Sequence, residues 1–388
     1  MDKTDEILTR RVEKVLPNKK TLKALMQKQK IKLYQGFDPT GGRLHLGHSI
    51  GIRKLMEFAN AGHEVIFLFG TGTVLVGDPS QRDSGRPLIT EKEIEANIKT
   101  WKEQVSPLVN FEKVKIMENG EWLTNMSLKD FILIASKISA VQLFKREMFQ
   151  KRLDRGDTIW YHETMYPLLQ GYDSVAMNVD LEIGGTDQEF NMLIGRELQS
   201  KINSKEKFVL TMPMILGTDG KQMSKTTGNC VWLDDKPNDM FGKLMSIPDK
   251  QIISYMELAT NTPTDKIGET EKNLKSGKIN PINAKKELAY TVVEELHSLD
   301  DAKSARAYFE KTFQESQPEY KTEWTFSGNA TITDMVSDIV GSKSEAKRLI
   351  SQKAVDIGGI TVLDPNIALE GGEKIKIGKK EFRKVIKK

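Results

Sequence analysis

Between Leu33 and Gly70 the chain alternates in a way that few folds accommodate. A short apolar stretch, Leu33–Phe37, breaks at Asp38-Pro39 and turns through Gly41 and Gly42. A run with helical spacing follows, from about Ser49 to Ala61, and then a second apolar run, Glu64–Gly70. A helix between two buried strands is the βαβ unit, and parallel strands need such a crossover. The expected class is therefore α/β with a parallel sheet, whose ligands bind beyond the carboxyl ends of the strands. The tetrapeptide His45-Leu46-Gly47-His48 falls there, at a helix start where backbone N–H groups and the helix dipole favour an anion. The turn Gly77-Asp78-Pro79-Ser80 falls at the same end. Asp78 there has two readings, a carboxylate facing an ammonium group or ordinary turn chemistry.

Composition narrows the classes. The 388 residues are 38% hydrophobic and 29% charged, as in a soluble protein of two or three domains. The sequence has no apolar run of bilayer length, and its first residues, MDKTDEILTRR, are too charged for a secretory signal. Its one cysteine, Cys230, forms no internal disulfide framework and supplies no cysteine-based zinc site. A reducing, cytoplasmic setting is the expectation. The net charge of +4 is localised: residues 331–388 carry twelve Lys/Arg against eight Asp/Glu, and the remainder balances at 46 each. A basic terminal module on a neutral body suggests a polyanionic partner.

Along the chain, residues 1–31 read as helical, with Leu22, Leu25 and Met26 on one face. Arg82 and Arg86 lie in a polar, glycine-bearing loop able to reach phosphates. Thr90 and Glu93 form a capping box for a helix over Glu91–Val105, and Lys113–Met117 reads as a strand. Apolar spacing from Leu123 to Leu153 indicates helices whose exposed faces belong either to the core or to a partner surface. Further on, Tyr166, Gln170 and Asp173 stand at i, i+4 and i+7, so one helix face would carry a phenol, an amide and a carboxylate. Such a stripe suits a pocket for a small polar ligand. Ser174–Ile183 reads as a strand ending at Gly184-Gly185, with Asp187 available to ribose hydroxyls. A last loop, from Thr218 to Asn229, carries Lys221, Gln222, Ser224, Lys225 and Thr226 between glycines and suits a polyphosphate.

In this order, HLGH near the start and QMSKT after the sheet resemble the HIGH and KMSKS signatures of class I aminoacyl-tRNA synthetases. With YQGFDPTGGRLHLGH, VGDPS, YPLLQGYD, GGTDQ and GKQMSKT around them, the chain is similar to the bacterial tyrosyl-tRNA synthetases in particular. The likeness extends to the end, where residues 330–388 resemble an S4 RNA-binding domain. It implies that Tyr34 and Asp173 contact a tyrosine phenol, that Asp78, Tyr166 and Gln170 hold its ammonium group, and that Gln188 lies near its carboxylate. Gly36, Gly185 and Asp187 would line the ribose of ATP, with Asp38 and Thr40 in the catalytic loop. His45 and His48 would stabilise the α-phosphate region, while Lys225, Thr226, Arg82 and Arg86 would follow the pyrophosphate. One departure stands out: Gln222 occupies the place of the first signature lysine, and either Lys221 replaces it or Lys225 acts alone.

The resemblance further implies tyrosine activation by Mg²⁺-bound ATP and transfer of the tyrosyl group to tRNA(Tyr). No protein-bound metal site is expected. The implied organisation is a Rossmann-like catalytic domain over 1–225 with a helical insertion near 121–165 that makes a homodimer contact. A helical domain over 226–313, a linker over 314–329 and the small α+β S4-like domain over 330–388 follow. In that last domain Lys343, Lys347 and Arg348 would meet tRNA phosphates.

Overall fold

The computed structural model of the chain describes residues 2–79, 89–224, 227–314, 320, 322–378 and 381–388. It contains two compact units, Met1–Lys303 and Ser304–Lys388.

The strands of the first unit are β1 (Lys14–Leu16), β2 (Lys32–Phe37), β3 (Glu64–Phe69), β4 (Val114–Glu118), β5 (Leu181–Gly185) and β6 (Phe208–Met212). They form one sheet in the order β1-β6-β5-β2-β3-β4. Neighbours from β6 to β4 are parallel, and β1 is antiparallel to β6. Because β3 and β6 are covered on both faces, EVIFLF and FVLTM are nearly continuous apolar runs rather than alternating ones. The chain builds outward through β2, β3 and β4, then returns to the other side of β2 for β5 and β6. The strand order thus reverses between β2 and β5, which opens a crevice beyond their carboxyl ends.

Helices cover the sheet. In chain order they are α1 (Lys3–Ile7), α2 (Lys19–Lys28), α3 (Leu46–Asn60), α4 (Thr73–Val76) and α5 (Glu91–Val105). Between β4 and β5 lie α6 (Gly120–Leu123), α7 (Leu128–Ala135), α8 (Ala140–Phe144), α9 (Glu147–Asp154) and α10 (Tyr161–Met177). The unit continues with α11 (Glu189–Asn203), α12 (Pro237–Met245), α13 (Ile252–Ala259), α14 (Thr264–Lys275) and α15 (Pro281–Leu296). The helix α16 (Leu299–Phe309) spans the boundary between the units. Thr90 caps α5 as its sequence suggests, with the Thr90 amide donating to Glu93 at 2.9 Å. Against α10, α11 approaches closely: a Cβ added at Gly171 would lie 3.1 Å from the Gly195 amide nitrogen. No helix among the described residues is long and apolar enough to cross a membrane.

Two local expectations change. The first thirty residues are not all helical, since Lys14–Leu16 adds an edge strand to the sheet. Ser174–Met177 continue α10 instead of starting a strand, and the helix ends on Asn178 in the left-handed region (φ 48°). Ser174 and Val175 are buried on the face that packs on α11, so their apolar, β-branched surroundings imitate a strand locally.

The second unit contains β7 (Thr322–Phe326), β8 (Ala330–Thr331), α17 (Ile332–Val340), α18 (Lys343–Ser351), β9 (Val355–Ile357), β10 (Ile360–Thr361), β11 (Ala368–Leu369), β12 (Lys374–Ile377) and β13 (Glu381–Lys387). One sheet runs β10-β9-β12-β13-β7, and β8 pairs with β11. Thr322–Phe326, read from sequence as part of a linker, is a strand parallel to β13. It forms because Phe326 is buried and Trp324 partly buried in this unit's own core, against Ile332, Val336, Ile375 and Val385.

Candidate active site

A cavity of about 390 Å³ opens at the crevice between β2 and β5. Most of the residues singled out from sequence line it: Gly36 in β2, Asp38 and Thr40 after it, His45 and His48 at the start of α3, and Asp78 beyond α4. From the other side come Tyr166, Gln170 and Asp173 on α10, with Gly185 at the end of β5 and Asp187 and Gln188 after it. The i, i+4, i+7 stripe does face one pocket. A Cβ on Gly36 would meet no protein atom within 4 Å, so packing does not require glycine there, and the position is open to a ligand.

At the deep end, Asp173 is 2% exposed. One of its oxygens accepts from Trp122 Nε1 at 2.8 Å and the other from Asn119 Nδ2 at 3.0 Å. The Asn119 amide is itself oriented, since its oxygen accepts from the Gly72 amide at 2.7 Å. Burial pushes the Asp173 carboxyl well above the usual range, and these two donors act against that rise. Tyr34 lies fully buried behind the cavity wall, its hydroxyl 2.9 Å from Ser174 Oγ. Burial, with Glu182 nearby, raises its phenol.

Nearer the mouth, Tyr166 donates to Asp38 Oδ2 at 2.8 Å, while Thr73 donates to Asp38 Oδ1 at 2.7 Å. Gln188 Nε2 donates to Asp78 at 2.8 Å and to Asp187 at 2.9 Å. Burial raises Asp187, which Asp78 reinforces, and the buried Arg146 guanidinium stands 4.0 Å from Asp78. Gln170 donates to Glu182 at 3.0 Å and accepts from Asn191 at 3.0 Å, and Asn191 also donates to Gln188. Gln170, Gln188 and Asp78 therefore belong to one hydrogen-bonded chain through Asn191, while Tyr166 is held separately by Asp38. Carboxylates at Asp38, Asp78, Asp173 and Asp187 give the cavity a cation-accepting interior.

The two histidines pack with ring centroids 3.9 Å apart, and the His45 amide donates to His48 Nδ1 at 3.1 Å. A Cβ on Gly47 would come within 3.0 Å of the His45 ring, so this glycine clears space for the imidazole as well as exposing backbone. The signature turn is stapled to the segment following the second signature: Leu46 N donates to Val231 O and Leu233 N to Leu44 O, both at 2.8 Å. In that second loop Asn229 is the hub. Its amide nitrogen donates to Asp219 Oδ1 and to Gln222 O, both at 2.9 Å, and its oxygen accepts from the Ser224 amide at 2.9 Å. Gln222 lines the cavity, while Lys221 is exposed and off its wall. Arg82, Arg86, Lys225 and Thr226 lie outside the described residues.

Several residues of the site carried no signal in the sequence: Asn119 and Glu182 in the cavity wall, and Trp122, Asn191 and Arg146 behind it against Asp173, Gln170, Gln188 and Asp78. Trp122 is 51 positions from the carboxylate it orients, and no local pattern links the two. Among the described residues, no group of three or more His, Cys, Asp or Glu is placed to hold a metal ion. In the second unit, α18 buries Ala346 and Ile350 and leaves Lys343, Lys347 and Arg348 exposed, with Arg348 paired to Glu345 at 2.7 Å.

The tRNA synthetases class I (W and Y) family matches residues 26–314. A tyrosine–tRNA ligase of Thermotoga maritima is 40% identical over 98% of this chain and 96% of its own length. That of Oleidesulfovibrio alaskensis is 40% identical over 100% and 99%. In fold, the chain is similar to a C-terminally truncated mitochondrial tyrosyl-tRNA synthetase of Aspergillus nidulans (TM-score 0.67, 21% identity, 80% of this chain and 94% of that one). It is likewise similar to a tyrosyl-tRNA synthetase of Archaeoglobus fulgidus complexed with L-tyrosine (TM-score 0.63, 22% identity, 79% and 100%). Matched through its sheet, both signature turns and nearly the full length of its relatives, the chain belongs to the class I tRNA synthetases of the W and Y group.

Proposed function

We propose that this protein is a tyrosine–tRNA ligase. It activates tyrosine with ATP to tyrosyl-adenylate and pyrophosphate, then transfers the tyrosyl group to the terminal adenosine of tRNA(Tyr). The observation that carries this reading is Asp173: a buried carboxylate, held by two fixed donors, at the closed end of a cavity whose mouth bears the histidine pair. A phenolic hydroxyl donating to Asp173 fills acceptor capacity that Trp122 and Asn119 leave over, whereas a phenylalanine ring would bury that capacity without a donor. The cost of such an unpaired group is how this enzyme class rejects phenylalanine, which is itself a standard illustration of the effect.

The substrate's ammonium group is assigned to Asp78, Tyr166 and Gln170, and its carboxylate to the neighbourhood of Gln188. Asp187, Gly36 and Gly185 accommodate the ribose of ATP, with Asp38 and Thr40 between the two substrates. The carboxylate attacks the α-phosphate, a displacement that needs positioning and charge stabilisation more than covalent help. His45 and His48 donate hydrogen bonds to the phosphate oxygens as charge builds there. Lys225, Thr226, Arg82 and Arg86 are assigned to the pyrophosphate. Mg²⁺ arrives with ATP as part of the substrate.

The same reading assigns the exposed basic face of α18, through Lys343, Lys347 and Arg348, to tRNA phosphates in an S4-like manner. Such contacts position the RNA without reading its sequence. It assigns a homodimer contact to the helices between β4 and β5, where Leu128, Ile132, Leu133 and Val141 are exposed. It places the protein in the cytoplasm. The test is aminoacylation of tRNA(Tyr) with each of tyrosine, phenylalanine and tryptophan. Charging with tyrosine is the expected result, and charging with tryptophan instead would overturn the assignment.

A further inference from the structure

Beneath the closed end of the cavity sits an ion pair whose depth sets it apart from the surface pairs. Glu182 on β5 lies opposite Tyr34 on β2 in the sheet register. It is paired with Lys207, just before β6, and the two side chains are 2% and 0% exposed. Lys207 Nζ also donates to Ser174 Oγ at 2.8 Å. That hydroxyl lies 2.9 Å from the Tyr34 hydroxyl and 3.3 Å from Glu182 Oε2. The remaining Glu182 oxygen accepts from Gln170 Nε2 at 3.0 Å. A serine hydroxyl has one proton and two lone pairs. With Lys207 donating into it and its own proton directed at Glu182, its second lone pair takes the Tyr34 proton. The pair therefore fixes the phenol of Tyr34 on one side and the amide of Gln170 on the other.

Space for it is built into the helix packing. A Cβ added to Gly195 on α11 would lie 2.6 Å from Lys207 Nζ and 3.0 Å from Ser174 Oγ. A buried ion pair is weak evidence of stabilisation, because apolar residues of similar volume often serve as well. Its hydrogen bonds run toward the ligand end of the pocket.

We infer that Glu182 and Lys207 form a positioning unit for the amino-acid substrate. The carboxylate orients Gln170, the ammonium orients Ser174 and through it Tyr34, and each of the two charges is balanced by the other. The charged and titratable groups around Asp173 are Glu182 on β5, Lys207 before β6, Tyr34 on β2, Asp38 after it and Tyr166 on α10. Arg196 on α11 adds its charge beside Lys207. The inference rests on the tyrosine-ligase reading.

The test is tyrosine-dependent ATP–pyrophosphate exchange across acid and neutral pH, using the full-length protein with Lys207→Met, Glu182→Gln and both changes together. Removing the lysine charge leaves the charge of Glu182 acting on Asp173 without its counter-ion, so the acid limb of kcat/KM for tyrosine moves to higher pH. Removing the glutamate charge moves that limb to lower pH. Each single variant raises the KM for tyrosine about tenfold without a matching change in the KM for ATP. The double variant returns the limb toward its original position. Lys207→Gln, which removes the charge and keeps a hydrogen-bond donor, raises the KM for tyrosine in the same sense and serves if Lys207→Met does not fold. Folded variants whose limbs stay in place and whose tyrosine KM is unchanged would overturn the inference while leaving the ligase reading intact. Absence of tyrosine-dependent exchange in the unaltered protein would overturn both.

Discussion

The indole N–H of Trp122 meets the carboxylate of Asp173 at 2.8 Å, across 51 residues of chain and two elements of the fold. This contact and that of Asn119 present only donors to Asp173, so they favour its charged form against the desolvation that raises its pKa. The carboxylate stays an acceptor because its neighbours leave it no better alternative.

Removing one of those donors should show in selectivity. Trp122→Phe keeps an aromatic ring and deletes the N–H. We expect the ratio of kcat/KM for tyrosine over phenylalanine to fall about tenfold, the scale of one hydrogen bond to a charged group. Paired kinetics with the two amino acids check it, and an unchanged ratio would separate Trp122 from the phenol site.

The pH dependence follows from the same group. Asp173 binds the phenol as a carboxylate, so kcat/KM for tyrosine should decline as pH falls through a pKa above the ordinary carboxylate range. Stability has the opposite sense. The native state retains this proton at pH values where the unfolded chain has lost it, so Asp173's contribution to stability falls as pH rises from about 3.8 through the raised value. Asp173→Asn should therefore gain melting temperature relative to the parent at neutral pH compared with acid pH. Parallel melts of the two proteins at several pH values measure that difference.

Much of this was legible in the sequence because it was local. The βαβ alternation, the Thr90–Glu93 cap and the Tyr166, Gln170, Asp173 stripe each depend on a pattern within one element or between immediate neighbours along the chain. The resemblance then supplied roles that spacing alone left open. What remained hidden was non-local. Asn119 and Trp122 on one side, and Glu182 and Lys207 on the other, reach the site only after the sheet is assembled. Ser174 was misread because its buried helical face has the composition of a strand.

The second signature loop makes a sharper statement about its lysines. Gln222 faces the cavity and Lys221 does not. Lys221→Ala should leave the exchange rate within about twofold, and Gln222→Lys should lower the KM for ATP by adding a cation on the cavity wall. A large loss on Lys221→Ala would show that the loop rearranges to bring that residue in.

On α18 the expectation concerns RNA alone. Lys343→Ala with Lys347→Ala should weaken tRNA binding and flatten its salt dependence by about one unit of slope per lost contact, while tyrosine activation continues at the parental rate. Filter binding across a salt series, beside pyrophosphate exchange, reads both.

The measurement closest to the central claim is ATP–pyrophosphate exchange with all twenty amino acids presented singly to the unaltered protein. Exchange supported by tyrosine, with phenylalanine and tryptophan near background, is the predicted result. Exchange with tryptophan, or with none of them in a folded protein, would contradict the account.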